Sequence, residues 1–247
     1  MALYLIGLGL NDQKDITLNG LELVKKADFV YLENYTSKLT CELKALEDLY
    51  NKPIILANRE LVESGTELLE KAKTQNVALL IIGDVFGATT HIDIMLRAKE
   101  LDIPIEIIHN ASILTAVGMT GLSLYKFGKT TSVPFETENV VTPYNVLKQN
   151  DKLHTLFLLD LRPEQNKFMT FNEAIQFLLK LGKDENVFTE DTLCVGCAQL
   201  GSKYQKIVVG KAKELLNEKI NLFPQCLIVP GELHFMEEDV LNTYKND

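Results

Sequence analysis

Asp84 comes directly after an apolar run and heads a loop of small and hydroxylated residues, in the stretch NVALLIIGDVFGATTH over positions 76–91. Val77 to Ile82 reads as a strand buried on both faces of a parallel sheet. Gly83-Asp84 ends it, and a helical pattern through Ile92, Ile94, Met95, Leu96 and Ala98 follows, with Thr89 or Thr90 as the expected N-cap. In open α/β sheets ligands bind at the carboxyl ends of strands, where a carboxylate can accept hydrogen bonds from a ligand. The same residues also suit an ordinary βα turn carrying a solvated acid.

A second corner with the same chemistry is His109-Asn110-Ala111-Ser112-Ile113, again small polar residues between a strand and an apolar segment through Leu114, Ala116, Val117 and Met119. Cys194-Val195-Gly196-Cys197 has redox or zinc spacing but lies inside the apolar run 192–198, where residues three apart point to opposite faces. No second ligand pair follows it, so Cys41, Cys194, Cys197 and Cys226 are expected to be structural, with no bound metal. Gly7-x-Gly9 begins like a dinucleotide fingerprint, but the third glycine position holds Asp12, leaving a strand end open to close approach. His91, His109, His154 and His234 are each expected in structural or hydrogen-bonding roles.

The elements that must position these residues alternate from the start of the chain. Strands are expected at 2–6, 29–32, 54–56, 77–82 and 103–109, and helices at 17–26, 41–49, 60–74 and from 92. That alternation favours a mostly parallel sheet in an N-terminal α/β domain, residues 1–110. Glycines 118, 121 and 128 around Tyr125-Lys126-Phe127 mark a hinge or crossover. Beyond it, strands at 130–133, 154–161, 192–198, 206–209 and 226–229 and helices at 144–149, 170–181 and 236–244 make a C-terminal α/β domain, residues 111–247, with a mixed sheet. Thr170-x-x-Glu173 reads as a capping box.

The chain has 247 residues, 46% of them hydrophobic, enough for a sizeable core. It contains no 18-residue apolar run, and the first apolar stretch lacks a basic flank and is interrupted by Gly7, Gly9, Asn11 and Asp12. A cytoplasmic protein with neither signal peptide nor membrane span is expected. A net charge of −9 without Lys/Arg clusters argues against direct nucleic-acid binding. Lys126 and Lys129 remain as a local basic patch that could steer a partner.

Seven stretches, LYLIGLGL (3–10), GDVFGATTH (83–91), IHNASI (108–113), LYKFGK (124–129), HTLFLLDL (154–161), TLCVG (192–196) and IVPGELH (228–234), run in register with one family over essentially the whole chain. The chain closely resembles the diphthine synthases, methyltransferases of diphthamide synthesis in the tetrapyrrole-methylase-like class, and HNASI and the Phe-Gly of GDVFGATTH are more like the eukaryotic branch. The resemblance implies two α/β domains with S-adenosylmethionine in the inter-domain cleft, S-adenosylhomocysteine as product and usually a homodimer. The implied cofactor contacts are Leu10, Asp84, Gly87, Ser112, Ile113, Leu159, Leu200 and Gln225. Loop amides and small residues would face the cofactor, leucines would pack its adenine, and Asp84 would accept from the ribose or the ammonium. His91 and His234 are implied to shape the site. The family's substrate is elongation factor 2, whose histidine carries a 3-amino-3-carboxypropyl group. Its amine is methylated and, in the eukaryotic branch, a carboxylate too. A neutral sulfide leaves in line, so alignment and exclusion of water can carry the catalysis, and no base is assigned.

Three positions depart from the family pattern. Val85 replaces a proline, Gln199 an arginine, and Gln225 a common histidine. A corrin- or porphyrin-precursor methyltransferase and a non-catalytic binding module are the rival readings.

Overall fold

The apolar run before Asp84 becomes β4 (Asn76–Ile81), with Val77 to Ile81 buried. It lies between β1 (Ala2–Gly7) and β2 (Phe29–Glu33) in a five-stranded sheet that β3 (Ile55–Ala57) and β5 (Ile105–Ile108) complete, in the order β3-β2-β4-β1-β5. Every pairing in it is parallel. Buried residues on both faces explain why the strands read as continuous apolar runs instead of alternating ones.

The helices that connect these strands are α1 (Leu18–Lys26), α2 (Leu43–Tyr50), α3 (Arg59–Ser64), α4 (Thr66–Ala72) and α5 (Ile92–Glu100), and the short α6 (Ile113–Ala116) follows β5. Thr17 caps α1 by accepting from the Gly20 amide at 3.0 Å. The single helix expected over 60–74 is two. Gly65, at φ +60, ends α3 with its N–H on the Leu61 carbonyl and starts α4. Only glycine adopts that left-handed turn without strain, and helical periodicity carried across it hides the break.

The computed structural model describes residues 1–87, 91–183 and 185–245. The expected N-cap at Thr89 or Thr90 lies outside them. The chain divides into two compact units, Met1–Ala116 with Gly201–Lys203, and Val117–Leu200 with Tyr204–Asp247. α6 belongs to the first.

The second unit holds β6 (Thr131–Val133), α7 (Thr142–Asn150), β7 (Thr155–Leu159), a small hairpin of β8 (Leu161–Arg162) and β9 (Lys167–Phe168), α8 (Phe171–Leu181), β10 (Leu193–Ala198), β11 (Lys206–Lys211), α9 (Ala212–Leu215), β12 (Gln225–Val229) and α10 (Phe235–Thr243). Its main sheet runs β11-β10-β12-β7-β6 and is antiparallel except for β6 on β7, the expected mixed sheet. Thr170 and Glu173 form the capping box of α8, whose Phe171, Ile175 and Leu178 are buried against the sheet. Cys194 and Cys197 lie on opposite faces of β10, with Cys197 opposite Cys226 of β12, and all four cysteines are free. Burial pushes the Cys194 thiol up, so it packs as a small hydrophobe.

A buried polar cluster ties the start of α10 to the glycine-rich segment. Glu237 accepts from Lys126 Nζ at 2.6 Å, from the Ser123 and His234 amides at 2.8 Å each, and from His154 Nε2 at 3.1 Å. Lys126 is therefore an internal ion-pair partner and not the steering cation expected from sequence. The Gly231 amide donates to His154 Nδ1 at 3.0 Å, which leaves the neutral ring its proton on Nε2 for Glu237. Burial pushes the Glu237 carboxyl up, but the hydrogen bonds from Lys126, the two amides and His154 outweigh it and hold it at about 2. Burial also pushes fully enclosed His154 below its ordinary 6.5, against the pull of Glu237. Both shifts are depressions, so both contributions are present above the unfolded values and are lost as pH falls. Protection of the β7 amides, corrected for intrinsic exchange rates, should fall as pH falls from 6.5, through His154 first and Glu237 below 4.5. His154→Asn should flatten the upper part of that response after correction for intrinsic exchange rates; an unchanged slope would assign it to other groups.

Candidate active site

Three strand ends of the first unit meet at the carboxyl edge of its sheet, and glycines allow it. Gly9 (φ +76) and Gly83 (φ +91) exchange backbone hydrogen bonds of 3.1 and 2.8 Å, joining the ends of β1 and β4. Asn110, after β5, donates through Nδ2 to the Gly7 carbonyl at 3.0 Å and to the Asp15 carbonyl at 2.9 Å. Asp15 accepts from the Asn11 amide at 2.9 Å, closing the turn that carries Leu10.

Asp84 is the hub of this edge. Its Oδ1 accepts from the Phe86 amide at 3.0 Å, and its Oδ2 accepts from the Asn110 amide and faces His109 Nδ1, both at 2.9 Å. Burial pushes the carboxyl up, but these three partners outweigh it and hold it below its ordinary value. A carboxylate has roughly four acceptor sites, so with these three partners among the described residues about one remains for a ligand donor. Val85, in the place of the family's proline, is fully buried in the core. Side-chain burial thus anchors the loop, at about 1.5–3 kcal/mol, where proline would act by restricting φ.

Gly87 faces Ser112. A Cβ added at Gly87 would lie 2.7 Å from Ser112 Cβ and 2.9 Å from its Oγ. Ser112 is buried and heads α6, its carbonyl accepting from the Thr115 and Ala116 amides at 3.1 and 2.9 Å. Ile113 is the first residue of that helix. Leu10, half-buried, packs on Gly201, where an added Cβ would stand 2.9 Å from Leu10 Cβ. Leu10, Asp84, Gly87, Ser112 and Ile113 therefore come together on one edge of the first unit.

The other three expected contacts gather at one end of the second unit's sheet. Leu159 ends β7, Gln225 begins β12 opposite Ala198, and Leu200 follows β10. The Gln225 side chain is committed within its own unit. It accepts from the Phe171 amide at 3.0 Å and donates to the Ile220 and Leu222 carbonyls at 2.9 and 3.1 Å. Gln199, at φ +48, likewise donates through Nε2 to the Phe223 carbonyl at 2.9 Å. Two of the three departures thus carry local structural bonds.

The histidines separate by environment. His91 is buried with its Nε2 2.6 Å from the buried Glu33 carboxylate, neither ring nitrogen being aligned for a hydrogen bond to a described residue. His234 caps α10, accepting from the Met236 amide at 3.3 Å. His109 differs, because its side chain is 67% exposed while Asp84 holds Nδ1. Its one sequence signal is its place at a strand's carboxyl end.

Residues 2–216 match the tetrapyrrole (corrin/porphyrin) methylases. The chain is 42% identical to the diphthine methyl ester synthase of Dictyostelium discoideum, over 99% of this chain and 98% of that one. It is 47% identical to the diphthine synthase of Methanocaldococcus jannaschii, over 97% of each. A crystal structure of diphthine synthase superposes with a TM-score of 0.92 at 36% identity, covering 100% of this chain and 96% of the other. On these grounds the chain belongs to the tetrapyrrole methylase family and, within it, to the diphthine synthases, and it is a methyltransferase.

Proposed function

We propose that the chain uses S-adenosylmethionine to methylate the 3-amino-3-carboxypropyl-histidine of elongation factor 2, in diphthamide biosynthesis. The observation that carries the site assignment is the Asp84 hub, a carboxylate with acceptor capacity left, framed by loop amides and close-packed glycine at the carboxyl edge of a parallel sheet. The first-unit residues fit such a cofactor: Asp84 accepts from its hydroxyl or ammonium donors, Gly87 and Ser112 shape a close backbone approach, and Leu10 offers an apolar contact. When bound, the cofactor supplies an electrophilic methyl on a positively charged sulfur. The chain's part is to orient the acceptor amine and exclude water. Leu159 and Leu200 are proposed as further apolar contacts; for Gln225 the backbone is left, its amide being engaged. A cytosolic homodimer goes with this reading, as the family resemblance implies.

Mass spectrometry of elongation factor 2 carrying the unmethylated side chain, after incubation with enzyme and cofactor, tests the reaction. Mass gain at that histidine is expected, and gain only on corrin or porphyrin precursors would overturn the reading. Asp84→Ala should weaken S-adenosylmethionine binding by about 1–3 kcal/mol, the range for losing a hydrogen bond to a charged group. Unchanged calorimetric affinity would remove Asp84 from the site.

A further inference from the structure

The carboxyl edge of the first sheet holds an arrangement that the binding role of Asp84 does not require. His109 stands just beyond β5, its Nδ1 2.9 Å from Asp84 Oδ2. A carboxylate that accepts at Nδ1 fixes the neutral ring as the Nδ1–H tautomer and turns the Nε2 lone pair outward. Nε2 has no hydrogen-bond partner among the described residues, and the side chain is 67% exposed. The ring edge is also steadied by Phe86, in a T-shaped contact with centroids 5.9 Å apart. Asp84 is oriented in turn by the Phe86 and Asn110 amides. His109 pairs with no other ionisable group among the described residues.

An imidazole held by a carboxylate at one nitrogen, with the other presented to solvent beside a ligand-binding loop, is the geometry of a general base. A base is needed if the acceptor is an amine. A protonated amine has no lone pair, and an α-ammonium, with a pKa of about 8 at a peptide terminus and higher beside a free carboxylate, is mostly protonated at neutral pH. We propose that His109 is the proton acceptor of the reaction, taking a proton from the substrate ammonium. The substrate N–H bond breaks and its electron pair stays on nitrogen. The proton bonds to His109 Nε2 and leaves from there to bulk water, to which the exposed ring is open. Asp84 is the positioning residue, and its charge stabilises the transient imidazolium. Methylation of a carboxylate oxygen releases no proton and needs no such acceptor, so dependence on His109 is confined to nitrogen transfer. This assignment rests on the reading of an amine substrate above.

The test compares wild type with His109→Gln in single-turnover methyl transfer to elongation factor 2 between pH 6 and 9.5, with products resolved by mass spectrometry. Wild-type turnover and S-adenosylmethionine binding are established first, and their absence would refute the proposed function and not the role of His109. At pH 7 the variant should lose about a hundredfold in the rate of first N-methylation, within the usual range for a general base. The deficit should shrink to a few-fold near pH 9.5, where the amine loses its proton unaided. Added imidazole should restore part of the rate at pH 7. Calorimetric cofactor affinity should stay within about threefold of wild type, a small difference on the scale of tenfold per 1.4 kcal/mol. A loss constant across pH with no imidazole rescue, or a rate equal to wild type at pH 7, would overturn the proposal.

Discussion

Replacing Glu237 with alanine should weaken the second unit by about 3 kcal/mol, the low end of the range for breaking a buried ion pair, because Lys126 is near enough to the surface to find water. The substitution leaves the Ser123 and His234 amides and the His154 ring without their acceptor. Each of these donors is expensive to bury unpaired, and His154 has no exposure through which to be hydrated. Glu237→Gln keeps an acceptor oxygen while losing the charge, and should cost about half as much. Lys126→Glu would set two carboxylates together and should destabilise the same unit. Hydrogen exchange of β7 and β12 amides under native conditions measures this directly. Protection within 0.5 kcal/mol of wild type in Glu237→Ala, the spread of ordinary surface substitutions, would show that the cluster contributes little.

That cluster shows what the sequence could not display. Lys126 and Glu237 are 111 residues apart, and nothing local to Lys126 distinguishes an ion-pair partner from a steering cation. The Gln225 amide bonds to the start of α8, 54 residues earlier, so its commitment is equally invisible in the short range. By contrast β4, the place of Asp84 at its end and the α/β alternation of the first unit were legible, because a strand buried on both faces leaves a continuous apolar run and its end is marked by glycine. The capping box at Thr170 was legible because its partners are three residues apart. The break at Gly65 and the pairing of His109 with Asp84 were not. The first is a backbone choice inside an unbroken helical pattern, and the second joins the ends of two strands separated by β1 in the sheet.

Gly87→Val should abolish S-adenosylmethionine binding while leaving the first unit folded. The new Cβ would have to occupy space 2.7 Å from Ser112 Cβ and 3.3 Å from Asp84 Cβ, closer to Ser112 than real Cβ atoms approach. Either Ser112 or the loop must move. Ser112 is buried and anchors α6 through two amide hydrogen bonds, whereas Gly87 is only half-buried and, among the described residues, held by one turn bond, its amide to the Asp84 carbonyl at 3.2 Å. The loop is the softer side, so it shifts and takes the proposed ligand-facing amides with it, at a stability cost of about 1–3 kcal/mol for overpacking. Gly87→Ala should weaken binding about tenfold, or 1.4 kcal/mol. Pairing it with Ser112→Gly removes the opposing Cβ and Oγ, and the double variant should bind more tightly than Gly87→Ala once the effect of Ser112→Gly alone is subtracted. Calorimetry on wild type and the four variants decides it, with thermal unfolding of each without cofactor as the control for folding. Wild-type affinity in Gly87→Ala, or no recovery in the double variant, would mean that the close approach of Gly87 to Ser112 is not what the site depends on.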